Sequence, residues 1–169
     1  MIISRADTAD LETLHTLTRA CAEDLIGKGI FQWNDYYPST EILATDIARQ
    51  ELWKLVYEGQ LIGMIVLTTL EDAVYTTVQW PLADPNPLYI HRLAVQPAFQ
   101  GKGFAQKLMD FAETHASDQQ YSSLRLDTFS MNKRNQRFYE QRGYQQCGLI
   151  YFAKQSEHPF YCYQKAVDV

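Results

Sequence analysis

Along this chain the apolar positions change period several times, and each change marks a predicted element. Residues 1–4 read as a short strand, and Asp7 or Thr8 can cap the helix that follows. In that helix Leu11, Leu14, Leu17, Cys21 and Leu25 recur every three or four residues, the spacing of one apolar face, until Gly27-Lys28-Gly29 ends it. Ser39 or Thr40 caps a second short helix carrying Ile42, Leu43 and Ile47. Leu52 to Tyr57 and Leu61 to Leu70, joined at Glu58-Gly59, read as a β-hairpin. The segment EDAVYTTVQWPLADPNP, residues 71–87, reads as a long connection that contributes to acceptor specificity. Its Asp84-Pro85-Asn86-Pro87 cluster opposes regular structure, while Ala73 to Gln79 can add some strand. Leu88 to Val95 is the apolar run of a buried strand, and Phe104, Leu108, Phe111 and His115 announce a helix. Ser123 to Thr128 alternates Leu124, Leu126 and Thr128 against Arg125 and Asp127, another strand. Asn132 caps a helix from Lys133 to Arg142, and Gly143 stands at its C-terminal cap. Tyr144 to Phe152 and Phe160 to Val167 close the chain as two antiparallel strands. The sum is a single mixed α/β domain over residues 1–169, a largely antiparallel sheet flanked by helices, with no repeat or linker.

The organising stretch is LYIHRLAVQPAFQGKGFAQKLMDFAETHA, residues 88–116. A strand is stopped by Pro97, and small residues then fill the first turn of a helix. A helix N-terminus carries unpaired N–H groups at the positive end of the macrodipole. Gly101, Gly103 and Ala105 lack bulk, so a phosphate can come close to those donors, and the loop reads as a pyrophosphate cradle. A Walker loop is excluded because Gly103 and Phe104 follow Lys102. A dinucleotide fingerprint fits poorly, with Gln106 where a small residue belongs, although Asp127 can serve as its ribose-binding acid. The other alternative is a plain strand–loop–helix whose glycines serve the turn alone.

The segment LAVQPAFQGKGFAQKLM resembles the acetyl-CoA-binding motif of the GNAT N-acetyltransferase superfamily: an apolar strand, Val-x-Pro, then Gln/Arg-x-x-Gly-x-Gly/Ala, here Gln100, Gly103 and Ala105. Downstream, LRLDTFSMNKRNQRFYEQRGYQQCG resembles that family's strand followed by Asn…Phe-Tyr-Glu…Gly-Tyr. The resemblance implies a central strand splayed from its neighbour and acetyl-CoA as cosubstrate. It also implies main-chain contacts from Leu93, Ala94 and Val95 to pantetheine, with one N–H near the thioester oxygen. Gln100, Gly101, Lys102, Gly103, Phe104 and Ala105 would hold the pyrophosphate. Asn132 fits the family's asparagine, whereas Asn135 stands where many members carry alanine. Either can bind cofactor or cap the helix. Phe138 packs beside the cofactor or in the core.

Composition narrows the partners. A formal charge of −5 argues against nucleic acid and anionic membranes, and no apolar run approaches a membrane span. The first ten residues lack the apolar centre of a signal peptide, so the chain reads as cytoplasmic. Cys21, Cys147 and Cys162 are widely spaced, and the four histidines form no ligand motif, so reduced thiols and no metal are expected.

Acetyl transfer from a thioester to an amine requires a held donor, an uncharged amine, a donor for the oxyanion and a stabilised thiolate. Tyr139 matches the family's tyrosine after Phe138 and is the catalytic assignment for the thiolate; the alternative is a core tyrosine. Tyr89 and His91 share one face of the central strand by alternation. Some family members carry a carboxylate near the place of Tyr89, so the proton acceptor here is His91, which titrates near neutrality, with Glu71 and Asp72 as fallbacks. A structural histidine is the alternative. Phe31, Trp33, Tyr36 and Tyr37 form either a satellite hydrophobic cluster or a wall of the acceptor pocket, and the resemblance favours the wall. Trp33, Tyr36, Tyr89 and His91 are therefore the acceptor-binding candidates. Double displacement through cysteine is disfavoured, because no thiol has an activating neighbour in sequence. The implied function is direct acetylation of a primary amine of a small molecule or peptide. The alternatives are a non-catalytic acyl-CoA-binding or regulatory module of the same fold and, more distantly, a nucleotide-dependent oxidoreductase.

Overall fold

The computed structural model describes residues 1–83 and 85–167; Asp84, part of the proline-rich cluster, and residues 168–169 lie outside them. The described residues form seven strands and four α-helices in the order β-α-α-β-β-β-α-β-α-β-β, and the pairing is mostly antiparallel. The fold is thus the mixed α/β class expected from the pattern of apolar positions. The chain divides into two compact units, Met1–Leu67 with His91–Ala112, and Thr68–Ile90 with Glu113–Val169.

The first unit begins with β1 (Ile2–Arg5). A single 3-10 turn at Thr8–Asp10 then leads into α1 (Leu11–Gly27). Asp7 caps that turn, accepting from the Ala9 N–H at 2.8 Å, while Asp10 accepts from the Asp7 N–H at 2.9 Å. Leu14, Leu17, Cys21 and Ala22 form the buried face of α1. Ser39 caps α2 (Thr40–Ala48), accepting from Ile42 N–H at 3.2 Å. Next come β2 (Leu52–Tyr57) and β3 (Gln60–Thr68), the expected antiparallel hairpin. β4 (Pro87–Val95) lies beside β3 and is followed by α3 (Phe104–Asp118). The apolar faces of α1 and α2 meet Leu52, Met64, Val66 and Ala94 in one core. Burial of such side chains stabilises by about 1.5–3 kcal/mol each.

In the second unit the strand order is β4, β5 (Ser123–Phe129), β7 (Phe160–Ala166), β6 (Gln145–Ile150). β5 pairs parallel with β4 through Pro87↔Ser123, Leu88↔Leu124 and Tyr89↔Arg125, and that short ladder fits the splay the family resemblance implied. β7 pairs antiparallel with both β5 and β6. Asn132 caps α4 (Lys133–Gln141). Residues 73–77 correct the sequence reading: Ala73–Thr77 is a 3-10 helix, not strand. Asp72 caps it from Oδ1 onto the Val74 N–H at 3.2 Å, and Tyr75 is buried at its centre, so local capping and one anchored ring override the β-branched composition. Among the described residues no helix is long and apolar enough to cross a membrane.

Candidate active site

The loop ahead of α3 has the backbone that a phosphate cradle needs. Gly101 and Gly103 take φ of 75° and 84°, in the left-handed region, and a Cβ on either would meet open space. Glycine is required there by conformation, not by crowding. The bond from Lys107 N–H to the Gly103 carbonyl, 3.1 Å, closes the first turn. The Phe104 and Ala105 N–H groups belong to the turn whose donors a helix cannot pair internally. The Phe104 ring packs 5.0 Å from Tyr57 and 6.1 Å from Phe99, so this residue offers a ligand its backbone. Lys102 is exposed, with Nζ 5.1 Å from the centre of the Phe99 ring.

The end of β4 is fixed at one carbonyl. Gln100 Nε2 donates to Val95 O at 3.0 Å, and Cys21 Sγ donates to the same oxygen at 3.3 Å. Two donors match the two lone pairs of a carbonyl, so this oxygen is fully engaged. The Gln100 side chain thus positions the loop. Burial pushes the Cys21 thiol up to about 12, which makes it inert as a nucleophile at neutral pH. Ala94 is buried and Leu93 half-buried.

His91 is half-buried, and its environment corrects the expectation of titration near neutrality. Burial, with the Arg92 charge added, lowers it from the ordinary 6.5 to about 3. It is therefore a neutral imidazole at physiological pH and a weak base. Arg92 has φ of 52° and is held by Asp46, at 2.7 Å from Nε and 2.8 Å from Nη2, and by the Tyr37 hydroxyl, 3.0 Å from Nη1. The aromatic loop is split. Trp33 is 7% exposed and belongs to the core of α1 and α2, whereas Tyr36 is 86% exposed. The reading of both as one pocket wall gives way to a core anchor and a solvent-facing ring.

In the second unit Tyr139 is 5% exposed. Its ring stands 5.2 Å from Phe138, 5.9 Å from Tyr144 and 6.2 Å from Tyr163. Burial first, and then the Asp127 charge, pushes its phenol above the ordinary value. Asn132 Oδ1 accepts from the Asn135 N–H at 3.1 Å, the cap read from the sequence, and Asn135 Nδ2 reaches Thr128 Oγ1 at 3.4 Å. Phe138 is half-buried. Tyr89 is buried, and its hydroxyl donates to Glu71 at 3.0 Å while accepting from Arg125 at 3.3 Å.

Sequence reasoning missed the group formed by residues 71–82 with β5. Tyr75 donates its hydroxyl to Asp127. Arg125 lies over the Trp80 ring at 4.5 Å and donates to the Leu82 carbonyl at 2.9 Å. Gln164 also binds Leu82, donating to its carbonyl at 3.1 Å and accepting from its N–H at 3.0 Å. The long connection is therefore pinned at both its helix and its tail. One signal was available: Arg125 and Asp127 place two charges in a short strand beside Leu124 and Leu126, and charges taken out of water demand partners.

Comparison with known proteins bears on these features together. A family model described as the acetyltransferase (GNAT) family matches residues 11–144. The chain is 24% identical over 141 residues to the uncharacterized N-acetyltransferase YesJ of Bacillus subtilis, covering 82% of this chain and 78% of that protein. A GNAT-family acetyltransferase from Streptococcus agalactiae superposes with a TM-score of 0.83 at 25% identity, over 99% of this chain and 96% of that one. The PaiA N-acetyltransferase of Thermoplasma acidophilum, solved with coenzyme A, superposes with a TM-score of 0.72 at 19% identity, over 98% of both chains.

Proposed function

The chain belongs to the acetyltransferase (GNAT) family, and on that footing we propose that it transfers the acetyl group of acetyl-CoA directly to a primary amine of a small molecule or peptide. The whole chain, residues 1–169, acts as one domain in this reading. The observation that carries it is the pair of left-handed glycines, Gly101 and Gly103, in open space at the N-terminus of α3. Helix-end donors and that bare backbone suit the pyrophosphate of acetyl-CoA. Backbone groups of Leu93 and Ala94 and the N–H of Val95 suit the pantetheine arm and the oxyanion, where one well-placed donor contributes about 3–4 kcal/mol.

Tyr139 is assigned to the departing thiolate. Its raised pKa keeps the phenol protonated and makes full proton transfer steeper than for a free phenol, so a hydrogen bond to the sulfur is its contribution. Asn132 and Asn135 shape the start of α4, and Phe138 packs beside Tyr139. On the acceptor side Tyr36 offers aromatic surface, Tyr89 is a buried ring assigned a supporting place, and neutral His91 can accept a hydrogen bond from the amine without storing its proton. The free thiols Cys21, Cys147 and Cys162 suit the cytoplasm.

Calorimetric titration with acetyl-CoA, followed by CoA release across a panel of primary amines, tests the reading. Saturable binding and amine-dependent release are expected. Binding without release for any amine would leave an acyl-CoA-binding module, and absence of binding would overturn the proposal.

A further inference from the structure

The loop between α1 and α2 meets α1 through Arg19, a residue with no place in the donor site. Asn34 and Tyr37 close a tight turn in that loop. The Asn34 N–H donates to the Tyr37 carbonyl at 3.1 Å, and Asn34 Oδ1 accepts from the N–H groups of Tyr36 and Tyr37 at 2.8 and 2.9 Å. Asp35 and Tyr36 form the tip, and the Asp35 side chain is 92% exposed. Arg19 supports the base of the turn, donating from Nη2 to the Tyr37 carbonyl at 3.2 Å. The Tyr37 hydroxyl in turn meets Nη1 of Arg92, the residue after His91, at 3.0 Å. The Arg19 guanidinium is held but poorly matched. Its side chain is only 23% exposed, and its Nε is buried with no hydrogen-bond partner among the described residues. A guanidinium carries five N–H donors in one plane. Here one carbonyl answers them, together with Asp35 at 3.8 Å from Nη1, beyond hydrogen-bonding distance. An ion pair to so exposed a partner contributes little, whereas a carboxylate that engages the fork with two bonds contributes more. Arg92 has such a partner in Asp46, and Arg19 has none among the described residues.

We propose that Arg19 binds a carboxylate of the acceptor, and that Asp35 stands in its place until the acceptor arrives. The acceptor is then a primary amine that also carries a carboxylate, an amino acid or a short peptide with a free C-terminus. With Nε sealed, the acceptor carboxylate meets the guanidinium at its Nη1 end, where Asp35 now stands. Binding exchanges an ion pair at 3.8 Å for a close one, and Asp35, already exposed, turns to water at little cost. Because Tyr37 holds Arg19 in place through its carbonyl, the guanidinium is preorganised for that exchange. Arg19 binds and orients the acceptor and takes no part in proton transfer. The inference rests on the acetyl-transfer reading and narrows its acceptor class.

Steady-state kinetics compare phenylalanine, β-alanine and a free dipeptide with their carboxamides. Each variant is judged by its acid-to-amide ratio relative to wild type, which cancels the different basicities of the amines. Wild type is expected to acetylate at least one of the acids. Arg19→Ala is expected to raise KM for that acid by about tenfold to a hundredfold and to leave its amide within about twofold. Arg19→Lys, which keeps the charge and loses the fork, is expected to fall between. Asp35→Asn is expected to lower KM for the acid by about twofold to fivefold, a gain that a mere mooring role for Arg19 does not produce. Three results overturn the carboxylate site: equal losses for acid and amide in Arg19→Ala, an acid KM that Asp35→Asn leaves unchanged or raises, or a wild-type protein that acetylates the amides and no acid. Calorimetry with the N-acetylated acids and their amides, in the presence of CoA, reads the same site without turnover. A preference for the acids that Arg19→Ala abolishes upholds the site even if no amine is acetylated, a result that overturns the transfer reading alone. Absence of that preference overturns the site.

Discussion

Asp46 grips Arg92 through two parallel hydrogen bonds, 2.7 and 2.8 Å, while the Arg92 backbone sits at φ of 52° in the middle of β4. A left-handed arginine costs about 1–2 kcal/mol, and the buried fork holds it in place. Asp46→Ala is expected to destabilise by about 3–5 kcal/mol, because it strands the guanidinium in a dry setting. Arg92→Gly should be milder than Arg92→Ala by about 1 kcal/mol, since glycine accepts that φ without strain. Urea unfolding of the three variants checks both statements. Equal midpoints for the glycine and alanine variants would mean that the backbone relaxes out of this conformation.

His91 makes stability depend on pH in a defined direction. Its folded value of about 3 lies below the ordinary 6.5, so between those values the unfolded chain binds a proton that the folded chain refuses. The contribution is complete above about pH 6.5 and drains away as pH falls toward 3, by at most about 1.4 kcal/mol per pH unit. Unfolding free energies measured from pH 7 to pH 4 should fall less steeply in His91→Gln than in wild type. Parallel curves would show that the ring is protonated as readily in the folded protein as in the unfolded one.

Gly103→Asp puts a side chain on a φ of 84° and a negative charge at the cradle. Acetyl-CoA affinity should drop by about tenfold or more, in a protein destabilised by about 1 kcal/mol from backbone strain alone. Calorimetry on the folded variant decides it, with Gly103→Ala separating strain from charge. Unchanged affinity in the aspartate variant would move the pyrophosphate elsewhere.

How much of this could be read from residues alone depended on how far apart the partners stand. Asp7, Ser39 and Asn132 were legible as caps because each reaches two or three residues ahead. The hairpin of β2 and β3 and the loop at Gly101-Lys102-Gly103 were legible for the same local reason. The pairs that join distant segments were not. Asp46 and Arg92 are 46 positions apart, and Tyr75 and Asp127 are 52. Nothing local marks their approach. The strand that Ala73 to Gln79 could have added is instead a 3-10 helix at Ala73–Thr77, set by the Asp72 cap and the buried Tyr75. Trp33 was misplaced because a loop aromatic carries no sign of which side of the chain it packs on.

Tyr139→Phe keeps the ring that packs on Tyr144 and Tyr163 and removes the hydroxyl alone. Turnover should fall by about tenfold to ten-thousandfold with acetyl-CoA affinity nearly unchanged. Because the phenol lies above its ordinary value, wild-type turnover should show no loss from this group at about pH 10. Rapid mixing resolves the transfer step from product release. A phenylalanine variant that transfers acetyl at the wild-type rate would make Tyr139 a packing residue.

The tail of the 71–82 connection is tied through main-chain atoms: Gln164 and Arg125 between them engage the N–H and carbonyl of Leu82. Such a knot is blind to the letter written at position 82. Any residue except proline offers the same two groups, so side chains here can be exchanged while the loop stays moored. The protein thereby separates where this loop is from what it presents, and a lineage, or a designer, can revise the side chains here without refolding the scaffold.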